Sequence, residues 1–430
     1  MIRWLEIILT GIVTSLFLFP FNLPFASAVN TKMLVALAGL ICFVFDMAQQ
    51  KGFWVSKQFF ILSLICIIVS LWALVSTTVN NTYDNAFVTY FVSVWVWLGG
   101  AYAVVWLIRA VHKDISVELI GRYMVCVCVI QCILAYIMTL SPSIKSFIDS
   151  LMGESESFMG IAEGRIYGLG AALDPSGLRF SAVLVILAYL IPNTDFKNDT
   201  LVGFLYIISF FIISVIGNMI ARATTIGLAI SVLYWLFLVF SGKTIPNPGA
   251  MWGISALVLI IGIGLSFLLY HTSPAFHDNL RFGFEGFFSI FEKGRWETHS
   301  TDILKTMIVW PETVKTWIIG DGYFTNPDFF PNIFGQTSES YYMRTDIGYL
   351  RYIFYFGVIG LLGMITVFTH ITVTCCKAFK NDSILFFFLL LVNLTGWVKV
   401  SSDIIMVFAP FLVMAYMTAH EGPNEEIASN

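Results

Sequence analysis

The stretch Ile61–Val79, ILSLICIIVSLWALVSTTV, runs nineteen residues without a single charged side chain. In hydrocarbon every backbone N–H and C=O of such a run must find its partner inside the same segment, so it reads as a membrane-spanning helix. The alternating ten-residue segments of a membrane β-barrel are missing. The rest of the chain agrees: of 430 residues 58% are hydrophobic and 12% charged, which excludes a soluble domain with an ordinary surface. The fold class expected is an all-α polytopic membrane protein.

Working outward, about twelve segments have the length and composition of spans: 4–20, 33–50, 59–79, 86–108, 118–140, 177–192, 201–217, 222–241, 251–271, 346–369, 383–399 and 402–419. The last two are separated by a tight turn around Lys399–Asp403 and also fit a re-entrant pair. Residues 1–271 hold the first nine expected spans with a medium loop at 141–176. Residues 272–345 form one large loop, 346–420 the last three spans, and 421–430 a polar tail.

Charge placement orients this arrangement. With the N-terminus inside, short inner loops collect Lys51, Lys57, Arg109, Lys113, Arg122, Lys197, Lys243, Lys377 and Lys380, whereas short outer ones hold Lys32, Lys145, Arg165, Arg179, Arg222 and Lys399. The excess of inner cations puts both termini in the cytoplasm and the two long loops outside. The net charge of −4 carries little information by comparison. The seven cysteines fall within or at the inner ends of the expected spans, so no disulfide framework is expected, and no metal-ligand spacing includes them.

Against that rule, outer arginines need a reason. Glu163-Gly-Arg165-Ile-Tyr-Gly168-Leu-Gly170 is followed by Asp174-Pro-Ser-Gly-Leu-Arg179 at a span entrance. Guanidinium forks suit phosphate oxygens, and glycines let backbone N–H groups approach the same anion. Pairing of these arginines with Glu163 and Asp174 is the simpler alternative. Arg222 opens the next outer helix start, where a cation opposes the helix dipole unless an anion sits beside it; snorkelling to lipid phosphate would also place it there.

The large loop carries a run with helical periodicity, Ser300 to Thr316, then Gly320-Asp321-Gly322-Tyr323 as turns. At its end, Glu339, Tyr341, Tyr342, Arg344, Asp346, Tyr349 and Arg351 converge on the tenth span. Asp346 is placed to cap that helix together with Thr345, or to accept a proton from a sugar hydroxyl.

Taken in order, the Arg165–Arg179 segment, the Arg222 helix start, Gly294-Arg295-Trp296, Ile319-Gly320-Asp321-Gly322-Tyr323, Asp346-Ile-Gly-Tyr349-Leu350 and Phe354-Tyr-Phe-Gly357-Val-Ile-Gly360 give the chain a layout that resembles bacterial O-antigen polymerases, which are related to O-antigen ligases. The resemblance implies a multi-pass protein of the bacterial inner membrane. It implies a glycosyl transfer independent of metal and cofactor, on the periplasmic face, with undecaprenyl-diphosphate-linked oligosaccharide as substrate. The partners it implies are membrane lipid, a chain-length regulator and a flippase, with no nucleic acid. Under it, Arg165, Arg179, Arg222, Arg295, Arg344 and Tyr349 contact diphosphate or glycan, and Asp346, Glu339 and Arg222 serve catalysis. Ligases and many polymerases resemble one another in a His near the end of the large loop; here Glu339 and Asp346 stand instead, leaving the base open between them. A ligase transferring glycan to lipid A core, and a lipid-linked oligosaccharide flippase, are the alternatives. A transporter would place ionisable groups deep in several spans, whereas most charges here lie at span ends.

Overall fold

The computed structural model describes residues 2–50, 56–153, 165–242, 244–327 and 341–419. Helices α1 (Ile2–Leu18), α2 (Thr31–Gln50), α3 (Lys57–Val79), α4 (Tyr90–His112) and α5 (Val117–Leu140) are followed by the short α6 (Pro142–Leu151). Next come α7 (Leu173–Asn193), α8 (Thr200–Ile220), α9 (Thr224–Phe240) and α10 (Pro248–Thr272). Among the described residues after α10 come four short α-helices, α11 (Pro274–Gly283), α12 (Glu285–Lys293), α13 (His299–Thr306) and α14 (Val314–Ile318). The chain ends in α15 (Gly348–Ala378), α16 (Ser383–Gly396) and α17 (Ile405–Ala419). Eight of these, α2–α5, α7, α8, α10 and α15, are long and apolar enough to cross a membrane, so the chain is an all-α polytopic membrane protein. A helix also lies over each of the other expected segments, though α1, α9, α16 and α17 are only 14 to 17 residues long.

Two expectations change. Residues 300–316 do not form one helix, because Pro311 lacks the N–H a helix needs and disfavours the helical conformation before it; the run breaks into α13 and α14. Between α1 and α2 the chain makes a small antiparallel hairpin, Asn22–Leu23 with Ala26–Asn30, too short to show an alternating pattern in the sequence.

The bundle is built around α7, whose residues from Leu178 to Ile191 are buried apart from Arg179. Small residues let helices meet closely in a setting where the hydrophobic effect does not drive helix association: a methyl at Gly39 of α2 would lie 1.8 Å from Gly99 O of α4. Successive spans reverse direction, so the described residues of alternate connections, 18–31, 79–90, 140–153, 165–173, 220–224, 272–327, 341–348 and 396–405, gather at one end. Contacts join them there: Thr82 Oγ1 donates to Gly322 O at 2.7 Å, Phe324 N to Asp84 at 2.8 Å, and Lys399 pairs with Asp174 at 2.7 Å.

The Gly320–Tyr323 turns and the Phe354–Gly357 segment, far apart in sequence, interlock. Helix α15 breaks at Phe356 and Gly357 (φ +71°, ψ −176°), which frees its carbonyls. Phe354 O accepts from Asp321 N at 2.6 Å, Tyr355 O from Gly322 N and Ser76 Oγ, and Phe356 O from Trp72 Nε1 at 2.8 Å. Gly320 and Gly322 both adopt positive φ to make the turn. A side chain at Gly357 would place Cβ 2.0 Å from Ile318 O, in a backbone region that only glycine occupies readily. Gly357→Ala is therefore expected to cost at least about 1–3 kcal/mol from the backbone alone and to lower the thermal unfolding midpoint of the purified protein. Gly264→Ala, where nothing lies within 4 Å, should shift it little.

Candidate functional site

Two of the outlying arginines meet on one ring. Helices α8 and α9 are joined only by Ala221–Ala223, and the turn is held by Thr224 Oγ1 donating to Gly217 O at 3.0 Å and Thr225 Oγ1 to Asn218 Oδ1 at 2.7 Å. This fixes Arg222 at the mouth of α9. The end of α11 seats on the end of α8 because Gly283 has no side chain; a methyl there would lie 3.0 Å from the Asn218 backbone. That seating brings Phe282 under both guanidiniums, Arg222 at 4.4 Å and Arg165 at 5.3 Å from the ring centroid. Glu285, three residues on, pairs with Arg222. Burial pushes the Arg222 guanidinium down from its ordinary value and Glu285 offsets part of this.

Next to this pair stands a carboxylate cluster. Asp174, in the first turn of α7, takes Lys399 as its partner rather than either flanking arginine, and still lies within electrostatic range of Arg165 and Arg222. Within range of Asp174 and Lys399 in turn is Asp346. The capping role does not explain Asp346: the N-cap of α15 is Ile347, without a side-chain bond, and Ile347 N receives only a 3.4 Å contact from Thr345 Oγ1. Burial pushes the Asp346 carboxyl up to about 7, with Arg351 pulling it back and Asp174 adding to the rise. Its nearest Arg351 nitrogen is 3.9 Å away. The approach to Asp346 is a short turn in which Met343 and Arg344 both take positive φ, uncommon for residues with a side chain.

Arg351 ties this corner together. Its guanidinium lies between the rings of Phe324, at 3.7 Å, and Tyr341, at 4.1 Å, and donates to Ser401 Oγ at 2.7 Å and Phe324 O at 3.0 Å. A lysine cannot span those partners with a planar fork. Arg351→Lys is expected to destabilise the purified protein nearly as much as Arg351→Ala, by roughly 1.5–3 kcal/mol per lost charged hydrogen bond; an unfolding midpoint close to that of the unsubstituted protein would show that the charge alone suffices.

Arg179 lies apart, in a cavity of about 270 Å³ beneath the hairpin, lined with it by Lys32, Ser176, Asn22, Asn30 and Gly170. Its guanidinium rests on Phe19 at 5.5 Å. Asp403 is within range of both cations, and burial pushes its carboxyl up while they pull it down. The glycines here serve packing first: a methyl at Gly170 would lie 2.3 Å from Phe19 O, and Gln131 holds Leu169 O at 3.0 Å.

No family model matches the chain, and no curated protein or solved structure matches it either. The site thus rests on its own geometry.

Of the expected site residues, the fold brings Arg165, Arg222 and Asp346 into one electrostatic neighbourhood. Arg295 is three-quarters exposed and pairs with Glu297 at 2.8 Å. Arg344 is exposed on its turn. Tyr349 donates to Leu394 O at 2.7 Å and packs its edge on Trp397, a bond between helices α15 and α16. Glu339 and Glu163 lie outside the described residues. Asp174, Arg351, Lys399 and Tyr341 complete the neighbourhood without having been singled out as site residues. Arg351 carried the clearer signal, a full charge several residues inside a span.

Proposed function

We propose that the chain is a glycan polymerase of the O-antigen type. It transfers a growing chain from undecaprenyl diphosphate to a lipid-linked repeat unit at the periplasmic face of the inner membrane. The observation that carries this reading is the convergence of Arg165 and Arg222 on Phe282, beside a cluster holding Asp346, at one end of the bundle.

In this reading the acceptor hydroxyl oxygen forms the new bond to the anomeric carbon as the bond from that carbon to the diphosphate oxygen breaks. The hydroxyl proton passes to Asp346, and the bonding pair leaves with the diphosphate. The departing group gains negative charge, which fixed guanidiniums stabilise without reorganising. A base is most effective when its pKa lies near the working pH, and a carboxyl raised to about 7 meets that condition. The energy comes from the sugar–diphosphate bond, so no nucleotide is required. Tyr341, raised to about 12 by burial and by Asp346, stays protonated and can donate a hydrogen bond to a sugar.

Deletion of the protein from cells tests the reading. Loss of a polymerase leaves single repeat units on the cell-surface lipid, whereas loss of a flippase strands lipid-linked repeats on the inner leaflet. The second outcome overturns the proposal.

A further inference from the structure

Helix α12 turns its faces the wrong way round for a loop in water. At helical spacing its nine residues put Phe287, Ile290 and Phe291 on one side and Glu285, Ser289 and Glu292 on the other. In water the apolar side would turn inward. Here the polar side does: Glu285 pairs with Arg222 and accepts from His299 N at 3.1 Å, Ser289 Oγ accepts from Glu297 N at 2.9 Å, and Glu292 takes Arg281 at 2.7 Å. Phe287, Ile290 and Phe291 point away from the protein, Phe291 with 88% of its surface exposed. Trp296 crosses the helix at Gly286, where a methyl would lie 2.3 Å from its ring, and meets Phe287 edge-on at 5.4 Å. Half-exposed itself, it extends the patch to four large apolar side chains.

The level of this patch is fixed by a span. Phe288 stacks on Tyr270 with ring centroids 6.0 Å apart, and Arg281, 4.9 Å over the same Phe288 ring, donates to Tyr270 Oη at 3.3 Å. Tyr270 stands in the last turn of α10, whose Leu265, Phe267 and Leu268 are exposed on the surface that meets lipid. The patch on α12 therefore continues the lipid-facing surface of α10 at the depth where tryptophan and other amphipathic aromatics collect in membranes.

We propose that α12 is an interfacial helix, with Phe287, Ile290, Phe291 and Trp296 inserted among the lipids of the leaflet that borders the large loop. Charge argues for apolar insertion and against capture of an acidic surface: the neighbouring cations Lys293 and Arg295 are both paired with Glu297 at 2.8 Å. A second copy or another protein seated on the patch would have to displace lipid from the end of α10. Lipid contact on the outer side of α12 sets the height at which Glu285, its first residue, meets Arg222. The inference holds whatever the site transfers.

Spin labelling tests it. Phe287→Cys, Ile290→Cys and Phe291→Cys are introduced singly into a chain whose seven native cysteines are replaced by alanine, labelled with a nitroxide and placed in nanodiscs, with unfolding midpoints verifying each fold. Collisions with oxygen, which concentrates in hydrocarbon, are compared with collisions with a water-soluble nickel chelate. The oxygen-to-chelate ratio at all three positions should be several-fold above that of Lys305→Cys on exposed α13 and close to that of Leu265→Cys on α10. A ratio equal to that of Lys305→Cys puts the face in water, and shielding from both reagents puts it under protein; either overturns the proposal. In the chain with its native cysteines, Phe291→benzoylphenylalanine irradiated in cell membranes should yield phospholipid adducts by mass spectrometry. Adducts confined to a second copy or to another protein overturn the proposal as well.

Discussion

Arg222→Ala is expected to lower glycan polymerisation by about 10²–10³-fold while the protein still folds and reaches the membrane. This is the range for removing one preorganised donor from a developing anion. Arg222 is held at the α8–α9 turn by bonds that do not involve its side chain, Thr224 to Gly217 and Thr225 to Asn218, so the turn survives the substitution. A companion variant separates catalysis from packing. If the Arg222–Glu285 pair merely pins α12 to the bundle, Glu285→Gln should be as harmful as Arg222→Ala. If Arg222 serves an anion, Glu285→Gln frees the guanidinium and polymerisation persists. Glycan length on gels, normalised to protein in the membrane, reads both.

Asp346→Asn is the second large effect, a loss of about 10²–10⁴-fold if Asp346 is the general base. The pH profile of the unsubstituted protein carries the sign. A base must be ionised to work, so the rate should climb as pH rises through about 7 and level off above it. Stability runs the other way. The folded carboxyl holds its proton up to about 7 whereas the unfolded one releases it near the ordinary value of 3.8, so between these the folded state binds more protons and stability falls as pH rises. In Asp346→Asn both dependences should flatten. A rate that is independent of pH from 5 to 8 would place the base elsewhere, with Glu339 the next candidate.

How much of this was legible in the sequence follows from what each signal depends on. Spans are written locally: Ile61–Val79 has no charge and must satisfy its own backbone, so a helix follows without tertiary information. The kink at Gly357 is not local, since its freed carbonyls take their donors from the Gly320–Gly322 turn and from Trp72 and Ser76 of α3. Arg165 and Arg222 stand out by charge placement alone, because with the N-terminus inside they run against the expected excess of inner cations. Choosing Lys399 as the partner of Asp174, over the nearer-in-sequence Arg165 and Arg179, depends on the α16–α17 connection reaching α7. Arg295 and Tyr349 were drawn in by neighbouring motifs, but one is paired at the surface and the other bonds Leu394, which no spacing along the chain foretells.

The central claim is that these residues move a glycan from one lipid diphosphate to another. The direct measurement uses the purified protein in nanodiscs, chelator present, with a defined polyprenyl-diphosphate-linked oligosaccharide as the sole substrate. The account predicts lipid-linked products longer by whole repeat units, released polyprenyl diphosphate in equal molar amount to bonds formed, and neither with Arg222→Ala. Unchanged substrate in the presence of folded protein, or elongation undiminished in Arg222→Ala, would contradict it.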